Sequence, residues 1–233
     1  MSLDAAAIKT LEAVTTATIT TILVNKGLRN VWMRGTRPLR PGSNMRKVGK
    51  AFTLRFVPAR EDMATPASWA SPTSTRAAIE AMPAGCIAVA DAMGITDAGI
   101  FGDILCARMM KRNVAGLVTD GVVRDLAGVM STGLPVWCQG GAAPPSVAGL
   151  TFVGWQQPIG CGGVAVFPDD IIVVDDDGAV CIPQALLAEV LATAPEQERM
   201  EGWIMDEVGK GAALPGLYPM NAETRARYEK SKG

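Results

Sequence analysis

The order of short apolar runs between residues 86 and 118 constrains the fold of this chain most. Residues 86–90 form a continuous apolar run, residues 100–112 repeat apolar side chains at helical spacing, and residues 114–118 form a second apolar run. Continuous runs of this length are typical of strands buried on both faces. Strand, helix and strand in this order predict a βαβ unit with parallel strands. The fold class is therefore predicted to be α/β.

Flanking segments extend the mixed pattern. Residues 48–57 alternate Phe52, Leu54 and Phe56 with polar side chains, which predicts a strand with one buried face. Two short helices with a cap between them are expected within residues 3–28, because a threonine-rich stretch is a poor helix interior. Further helices are expected at residues 73–82 and 126–131. Further strands are expected at residues 134–138, 150–153, 163–167, 171–174 and 179–182.

The C-terminal part has a different character. Pro183 suits the first turn of a helix ending near residue 194, and a second helix with an apolar stripe is expected at residues 196–208. A tail rich in glycine and proline, residues 209–219, is expected to leave the compact region. We therefore divide the chain into an α/β domain, residues 1–195, and a C-terminal helix with an extended tail, residues 196–233, that packs on a neighbouring subunit.

Charge and residue usage exclude several kinds of function. The 22 Lys and Arg residues face 23 Asp and Glu residues, a net charge of -1, so no positive field favours a nucleic-acid partner. The chain has no histidine. Catalytic Ser-His and Cys-His pairs, imidazole bases and imidazole-bound metals are therefore excluded. Any chemistry must use carboxylates, arginine, lysine, hydroxyls, thiols or the backbone.

The cysteines and the apolar segments indicate a cytoplasmic protein. The five cysteines are far apart, form no CxxC pair and have mostly apolar neighbours, as expected for buried thiols in a reducing compartment. The N-terminal residues lack a basic segment followed by an apolar one, and no apolar run approaches the ~20 residues of a membrane span. We expect a soluble protein with no membrane partner.

The candidate functional residues lie in two segments at the ends of predicted helices and strands. Residues 102–105, Gly-Asp-Ile-Leu, open one predicted helix, and residues 120–125 follow the strand to which that helix leads. Ligands of open α/β sheets collect at the carboxyl ends of strands, so the two segments are expected to converge. Asp103, Asp120 and Asp125 offer oxygen ligands for Mg²⁺ or Mn²⁺. Arg124 can hold a carboxylate or stabilise an enolate.

A purely structural interpretation of these residues stays open at this point. Asp103 would then satisfy free N–H groups at a helix start, Asp120 would belong to a turn, and Arg124 with Asp125 would form a surface ion pair.

Weaker candidates have simpler explanations. The glycine-rich residues 160–163 resemble an anion-binding loop but lack a following lysine, so a turn between strands is favoured. Acidic residues at 169–170 and 175–177 lack the spacing of a calcium loop and are interpreted as hairpin turns. The basic segment 29–50 is interpreted as a solvated loop or an oligomer contact. Lys111 is interpreted as a surface charge rather than a Schiff-base lysine.

The spacing of the candidate residues resembles that of a known family. Asp103, a gap of twenty residues and the pair Arg124-Asp125 lie within Gly-Asp-Ile-Leu and Gly-Leu-Val-Thr-Asp-Gly-Val-Val-Arg-Asp. This pattern resembles the RraA-like family, which includes 4-hydroxy-4-methyl-2-oxoglutarate and 4-carboxy-4-hydroxy-2-oxoadipate aldolases. Residues 48–54, 162–166, 168–172 and 175–178 also resemble the family, and the similarity extends over about residues 15–210.

The resemblance implies a fold and an assembly. The fold would be a single α/β sandwich with mixed sheets, of the swivelling-domain type, with a C-terminal helical arm. The chain would form a homotrimer or homohexamer with active sites between subunits.

The resemblance also implies roles for individual residues. Asp125 would ligate Mg²⁺ or Mn²⁺, Arg124 would contact the substrate carbonyl and enolate, and Asp103 would support the water shell of the metal. The backbone N–H groups of Ile104 and Leu105, next to Gly102, would hold the pyruvyl carboxylate.

Other positions differ from the family pattern or cannot be aligned with it. A glutamate from the C-terminal helix of a neighbouring subunit helps to position a water in the aldolases, and Glu198 and Glu201 are both candidates here. Thr20-Thr21 stands where family members commonly have Ser-Asp or Thr-Asp, so a carboxylate is missing. Regulators of ribonuclease E in the family have lost the Arg-Asp pair. This chain keeps that pair, which favours catalysis.

These implications lead to one predicted function with two alternatives. The chain is predicted to cleave a 4-hydroxy-2-oxo acid to pyruvate in a divalent-metal-dependent retro-aldol reaction, and to decarboxylate oxaloacetate. The base would be a metal-oriented water polarised by Asp103 or by a C-terminal glutamate, since histidine is absent. One alternative is a hydro-lyase or other enolate chemistry on a sugar-derived 2-oxo acid. The other is a non-catalytic regulator of the ribonuclease E type.

Overall fold

A computed structural model describes residues 3–43 and 45–232. The first two residues of the predicted domain and the last residue of the predicted tail therefore lie outside the described residues. The strands are β1 (Trp32–Met33), β2 (Arg37–Pro38), β3 (Lys47–Pro58), β4 (Ile87–Asp91), β5 (Gly116–Thr119), β6 (Val136–Cys138), β7 (Leu150–Trp155), β8 (Ile171–Asp175) and β9 (Gly178–Ile182). The helices are α1 (Ala5–Glu12), α2 (Thr16–Asn25), α3 (Thr75–Ala81), α4 (Asp103–Lys111), α5 (Leu126–Ser131), α6 (Leu187–Gly209) and α7 (Ala222–Lys230).

Strand β3 joins two parts of a mixed sheet. Its first residues pair antiparallel with β8, which continues to β9 and β1. Its later residues pair parallel with β4 and antiparallel with β7. Strands β4, β5 and β6 are parallel neighbours, and β2 closes that edge in antiparallel orientation. The predicted βαβ unit is confirmed as β4, α4 and β5.

The side chains of the strands alternate between two apolar clusters, which creates a four-layer sandwich. In β4, Ala88 and Ala90 pack with α3, α4 and α5, whereas Ile87 and Val89 face the cluster between the two sheet parts. In β8, alternate residues face α1, α2 and α6 on one side and the same central cluster on the other. This period-two burial on both faces explains the continuous apolar runs. The predicted α/β sandwich with mixed sheets is confirmed.

The N-terminal helices form as predicted. The Asp4 side chain caps α1 by accepting a hydrogen bond from the Ala7 backbone N–H at 2.8 Å. The Thr15 hydroxyl caps α2 by accepting a hydrogen bond from the Thr18 N–H at 3.2 Å. Both caps satisfy N–H groups that lack a partner inside the helix.

The predicted strand at residues 163–167 is wrong. A 3-10 turn spans Cys161–Gly163, and Gly162 and Gly163 both adopt positive φ values, 57° and 77°. A left-handed backbone cannot continue a strand, and only an isolated bridge between Ile159 and Val166 remains here.

The predicted break between two C-terminal helices is also wrong. Helix α6 continues from Leu187 to Gly209 with Pro195 inside it, so the domain boundary predicted after residue 195 lies within a helix. Pro195 removes one N–H donor, but buried Val190, Ala194 and Ile204 anchor the helix on both sides of it.

The tail returns to the protein instead of leaving it. The sequence analysis did not predict α7, whose Tyr228 packs against Trp203 of α6 with ring centroids 5.5 Å apart. The Tyr228 hydroxyl donates a hydrogen bond to Glu196 at 3.0 Å. These contacts hold the C-terminal residues on α6 of the same chain. Packing of this arm on a neighbouring subunit stays a prediction.

The cysteines are buried and free, as expected. All five are more than nine-tenths buried and form no disulfide. Burial raises the pKa of the Cys86 and Cys106 thiols to about 12, so neither is a reactive thiolate at neutral pH.

Within residues 3–43 and 45–232, no single helix has the length and apolarity to cross a membrane. Helices α1 and α2 together meet the length and composition of a span but are bent by 101°.

Candidate active site

A pocket of about 270 Å³ lies at the carboxyl ends of the parallel strands. Much of its lining comes from the connections that follow β4, β5 and β6. Gly99 forms bridges to both Val122 and Pro145, so these connections meet directly beneath the pocket. The walls include Gly102, Asp103, Ile104, Leu105, Arg124 and Asp125. The predicted convergence of residues 102–105 with Arg124-Asp125 is thus observed.

Asp125 has a left-handed backbone and a carboxylate that does not cap its helix. It precedes α5 with φ 52° and ψ 48°, the left-handed conformation that Asp and Asn adopt more readily than other non-glycine residues. Although it occupies the N-cap position, its side chain makes no capping hydrogen bond. Helix capping therefore does not explain this residue. Its side chain is 49% exposed at the pocket and is available to a ligand.

Arg124 is held firmly at its backbone and lacks a hydrogen bond at one guanidinium nitrogen. Its backbone N–H donates to Phe101 O at 2.9 Å, which ties the connection after β5 to the connection after β4. The buried Arg124 Nε lies 3.2 Å from Asp125 Oδ2 but makes no hydrogen bond to any described residue. A buried donor without a partner is costly in a folded protein, but Arg46 Nε and Arg112 Nε share this state, so it does not single out Arg124. The surface-pair interpretation accounts for the contact with Asp125, and the position of Arg124 in the pocket is what makes it available to a ligand.

Asp103 is the first residue of α4, after the N-cap Gly102. Its Oδ1 accepts a hydrogen bond from the Ile104 N–H at 2.7 Å. In this arrangement the Ile104 N–H already has an acceptor, so it must release Asp103 to bind a substrate carboxylate. Part of the structural interpretation is therefore correct, because Asp103 does satisfy one N–H group at the helix start.

Close backbone contacts bring the two carboxylates to one pocket. A β-carbon added to Gly128 of α5 would lie 2.9 Å from Asp103 Oδ2, and one added to Gly102 would lie 2.9 Å from Asp125 Oδ2. Glycine at both positions leaves room for the Asp103 and Asp125 side chains.

The donor set fits a magnesium or manganese ion. Asp103 and Asp125 supply hard carboxylate oxygens, and Mg²⁺ commonly binds through one or two carboxylates while keeping water and substrate oxygens in its shell. Among the described residues, no cluster of three or more His, Cys, Asp or Glu side chains forms a complete protein cage. A partly solvated ion that shares its shell with the substrate is the kind that these residues can hold.

Asp120 is not part of this pocket. It is 95% buried, and its two oxygens accept hydrogen bonds from the Ala92 N–H at 2.8 Å and the Gly162 N–H at 3.0 Å. Burial raises the pKa of Asp120. The expectation that Asp120 offers a ligand to this site is therefore wrong, because its buried carboxylate is turned to backbone N–H groups and does not line the pocket. The same contacts explain the glycine-rich segment, whose Gly160 N–H is likewise bonded to Asp91, and support its interpretation as a turn.

The two C-terminal glutamates lie elsewhere in the same chain. Glu198 Oε2 accepts hydrogen bonds from the Thr15 N–H and hydroxyl, both at 3.2 Å, and so fixes the start of α2. Glu201 Oε1 accepts one from Gln197 at 2.8 Å. Neither lines the pocket. Thr20 and Thr21 donate hydrogen bonds to Ala17 O within α2 and also lie outside it.

The sequence analysis missed one wall of the pocket. Trp69, Thr75 and Arg76 come from the proline-containing segment before α3 and from the start of that helix, and Ser146 faces them from the connection after β6. Residues 58–72 were interpreted only as a loop. A tryptophan within a Pro- and Ser-rich loop is the one local signal that could have drawn attention to it.

The Gly102 contact leads to a testable prediction. We expect Gly102→Ala to weaken Mg²⁺ binding about 10-fold, since the added methyl group displaces the Asp125 carboxylate, which the sequence analysis predicts to be the metal ligand. The melting temperature should change little, because the φ of Gly102 is -110° and the contacted atoms belong to flexible side chains. Calorimetric metal titration measures the effect. Gly202→Ala in α6, which meets nothing within 4 Å, is the matched control and should bind metal normally.

Comparison with known proteins identifies the family. The family model RraA-like (Aldolase/RraA) matches residues 16–181. Protein DlpA of Legionella pneumophila is 30% identical over 76% of this chain and 28% of its own length. A Halalkalibacterium halodurans protein named "Putative 4-hydroxy-4-methyl-2-oxoglutarate aldolase" is 34% identical over 53% of this chain and 58% of its own length.

A solved structure agrees with this match. Streptomyces coelicolor RraAS2, described as an unusual member of the RNase ES inhibitor RraA protein family, superposes with a TM-score of 0.77 and 31% identity over 87% of this chain and 97% of its own. The family model covers well over half of the chain and includes both segments of the pocket. The chain therefore belongs to the RraA-like family.

Proposed function

We propose that the chain is a divalent-metal-dependent aldolase that cleaves a 4-hydroxy-2-oxo acid to pyruvate and a second carbonyl compound. The observation that carries this proposal is the convergence of Asp103, Arg124 and Asp125 on one pocket at the carboxyl ends of parallel strands. The name of the Halalkalibacterium relative supports the same chemistry.

In this proposal each side chain has a distinct task. Asp125 would hold Mg²⁺ or Mn²⁺ and Asp103 would hold the water shell of the ion, which would supply Lewis-acid chemistry at the C2 carbonyl. The Arg124 guanidinium donates to the C2 oxygen, where negative charge develops as the C3–C4 bond breaks and pyruvate enolate forms. The backbone N–H groups of Leu105 and Ile104, beside Gly102, bind the C1 carboxylate at the start of α4.

A base must accept the proton of the 4-hydroxyl group. The chain has no histidine, and none of the described residues that line the pocket is a lysine. We propose that Asp103 orients a water that takes this proton. Glu198 or Glu201 of a neighbouring subunit would assist in a homotrimer or homohexamer, since neither glutamate reaches the pocket of its own chain.

The same enolate arises when oxaloacetate loses CO₂, so decarboxylase activity is part of the proposal. A hydro-lyase acting on a sugar-derived 2-oxo acid would use the same ion and arginine, but it would release water and no pyruvate.

A non-catalytic regulator is the second candidate function, because the description of the Streptomyces relative names an RNase inhibitor family. A regulator should bind its partner equally well in EDTA.

A pyruvate-release assay over a panel of 4-hydroxy-2-oxo acids and oxaloacetate tests the proposal. Pyruvate should form from both kinds of substrate with Mg²⁺ present and stop when EDTA is added. Absence of pyruvate from every compound with Mg²⁺ present would refute the aldolase proposal.

Asp103→Asn separates the two interpretations of this residue. The asparagine Oδ1 can still accept the Ile104 N–H, so the melting temperature should stay within about one degree of the parent value. Turnover should fall by roughly 10- to 100-fold, because the water shell of the metal loses a negative charge. Steady-state kinetics measure the loss. Asp4→Asn, the same change at the N-cap of α1, is the control and should leave turnover unchanged. A fully active Asp103→Asn variant would reduce Asp103 to a helix-end residue.

A further inference from the structure

The pocket lined by Asp103, Arg124 and Asp125 contains a second arginine. Arg76 is the second residue of α3, and its guanidinium lies over the Trp69 ring, 4.9 Å from the ring centroid. Both residues line the same pocket as Arg124 and Asp125. A planar guanidinium stacked on an aromatic ring loses little freedom when it binds a carboxylate, because its orientation is already restricted.

Ion pairing within the protein does not account for Arg76. Glu80 lies four residues later on α3, the usual distance for a helical ion pair, but its oxygens bind Arg108, through two contacts of 2.8 Å, and Arg112 at 3.2 Å. Among residues 3–43 and 45–232, Arg76 has neither a hydrogen-bond acceptor nor a salt-bridge partner. A cation in the first turn of a helix also opposes the helix dipole, so helix stability does not explain the residue.

The charges of the pocket indicate what Arg76 binds. The lining contains two arginines, Arg76 and Arg124, and two carboxylates, Asp103 and Asp125, so its formal charges cancel. Binding of a divalent cation leaves two positive charges. A substrate with one carboxylate neutralises one of them, whereas a substrate with a carboxylate at each end neutralises both.

We propose that Arg76, stacked on Trp69, binds a second carboxylate at the end of the substrate remote from the pyruvyl unit. Arg76 then selects dicarboxylic 4-hydroxy-2-oxo acids over monocarboxylic ones. The hydroxyl groups of Thr75 and Ser146, which also line the pocket, can donate further hydrogen bonds to that carboxylate. This inference rests on the proposed 2-oxo acid chemistry. It assigns to Arg76 the binding of the part of the substrate that Arg124 does not contact.

Binding of two unreactive ligands tests the proposal without turnover. 2-Oxoglutarate and 2-oxopentanoate have the same five-carbon chain and no 4-hydroxyl group, but only the first carries a second carboxylate. Titration calorimetry with Mg²⁺ present should show that the parent protein binds 2-oxoglutarate about 10- to 100-fold more tightly, the range expected for a charged hydrogen-bonded contact.

Arg76→Met should abolish this preference while leaving the affinity for 2-oxopentanoate unchanged. Arg60→Met is the matched control, since Arg60 pairs with Asp62 in the neighbouring loop and does not line the pocket; it should keep the preference. Arg76→Lys keeps the positive charge but loses the planar guanidinium, so this variant should keep only part of the preference for 2-oxoglutarate. An Arg76→Met variant that retains the full preference, or a parent protein without one, would overturn the proposal.

The outcomes also separate this inference from the proposed function. If the preference depends on Arg76 but no pyruvate is released, the second carboxylate site is supported and the aldolase reaction is refuted. Pyruvate release with no effect of Arg76→Met on the preference would do the reverse.

Discussion

Replacing Asp125 with asparagine should lower metal-dependent turnover by about 10³-fold or more, because the proposed metal site would lose its principal charged ligand and with it several kcal/mol of transition-state stabilisation. Asparagine tolerates the left-handed backbone of this position as well as aspartate does, so the melting temperature should be unchanged. Calorimetric Mg²⁺ titration and steady-state kinetics measure the two effects. Unchanged pyruvate production by this variant would remove Asp125 as the metal ligand.

Asp125→Ala should lose turnover to the same extent but should also lose stability. Alanine in a left-handed conformation costs about 1–2 kcal/mol. Asp169 provides the matched control, since its φ is 67° and it lies outside the pocket. Asp169→Ala carries the same backbone strain and should keep full activity.

Arg124→Lys should reduce turnover by about 10²- to 10³-fold, the usual effect of removing a donor that stabilises a developing oxyanion. Lysine keeps the charge but cannot present the planar fork of donors, and it lacks the Nε that lies buried beside Asp125. The loss should appear in kcat more than in KM, because the interaction strengthens as the enolate forms.

Arg108→Lys on the outer side of α4 is the matched control for this change. In the parent protein the Arg108 guanidinium binds both oxygens of Glu80 at an exposed position. Lysine cannot make this two-pronged contact, but activity should be preserved. An Arg124→Lys variant with most of its activity would show that Arg124 is a structural residue.

The elements that could be predicted from sequence are those whose signal is local. Two apolar runs around an amphipathic helix predict β4, α4 and β5, because burial on both faces of a parallel strand leaves a continuous pattern. Parallel strands end at one edge of a sheet. Because Asp103 and Arg124 follow neighbouring parallel strands, this topology predicts that they lie at the same edge of the sheet.

The errors concern features set by contacts distant in sequence. Residues 163–167 have an apolar composition suited to a strand, but Asp120 holds the Gly162 N–H in a turn from 42 residues away. The same contact removes Asp120 from the candidate ligands. The end of the chain has an ordinary helical sequence. Its packing depends on a contact with Trp203 of α6, and no local sequence pattern indicates that contact.

Arg76 and Trp69 were missed for a related reason. Neither belongs to a motif, and their segment precedes the pocket-forming strands in sequence. Only the packing of α3 beside β7 and α4 brings them to the pocket that Arg124 also lines.

Cleavage of 4-hydroxy-4-methyl-2-oxoglutarate in D₂O with Mg²⁺, followed by NMR of the first turnovers, tests the central claim most directly. Retro-aldol cleavage of this compound gives two molecules of pyruvate, and only the one formed through the enolate takes its new methyl hydrogen from the solvent. The account predicts equal amounts of unlabelled and singly deuterated pyruvate with Mg²⁺, and no pyruvate in EDTA. Loss of water with no pyruvate, or pyruvate formation that is unaffected by EDTA, would contradict it.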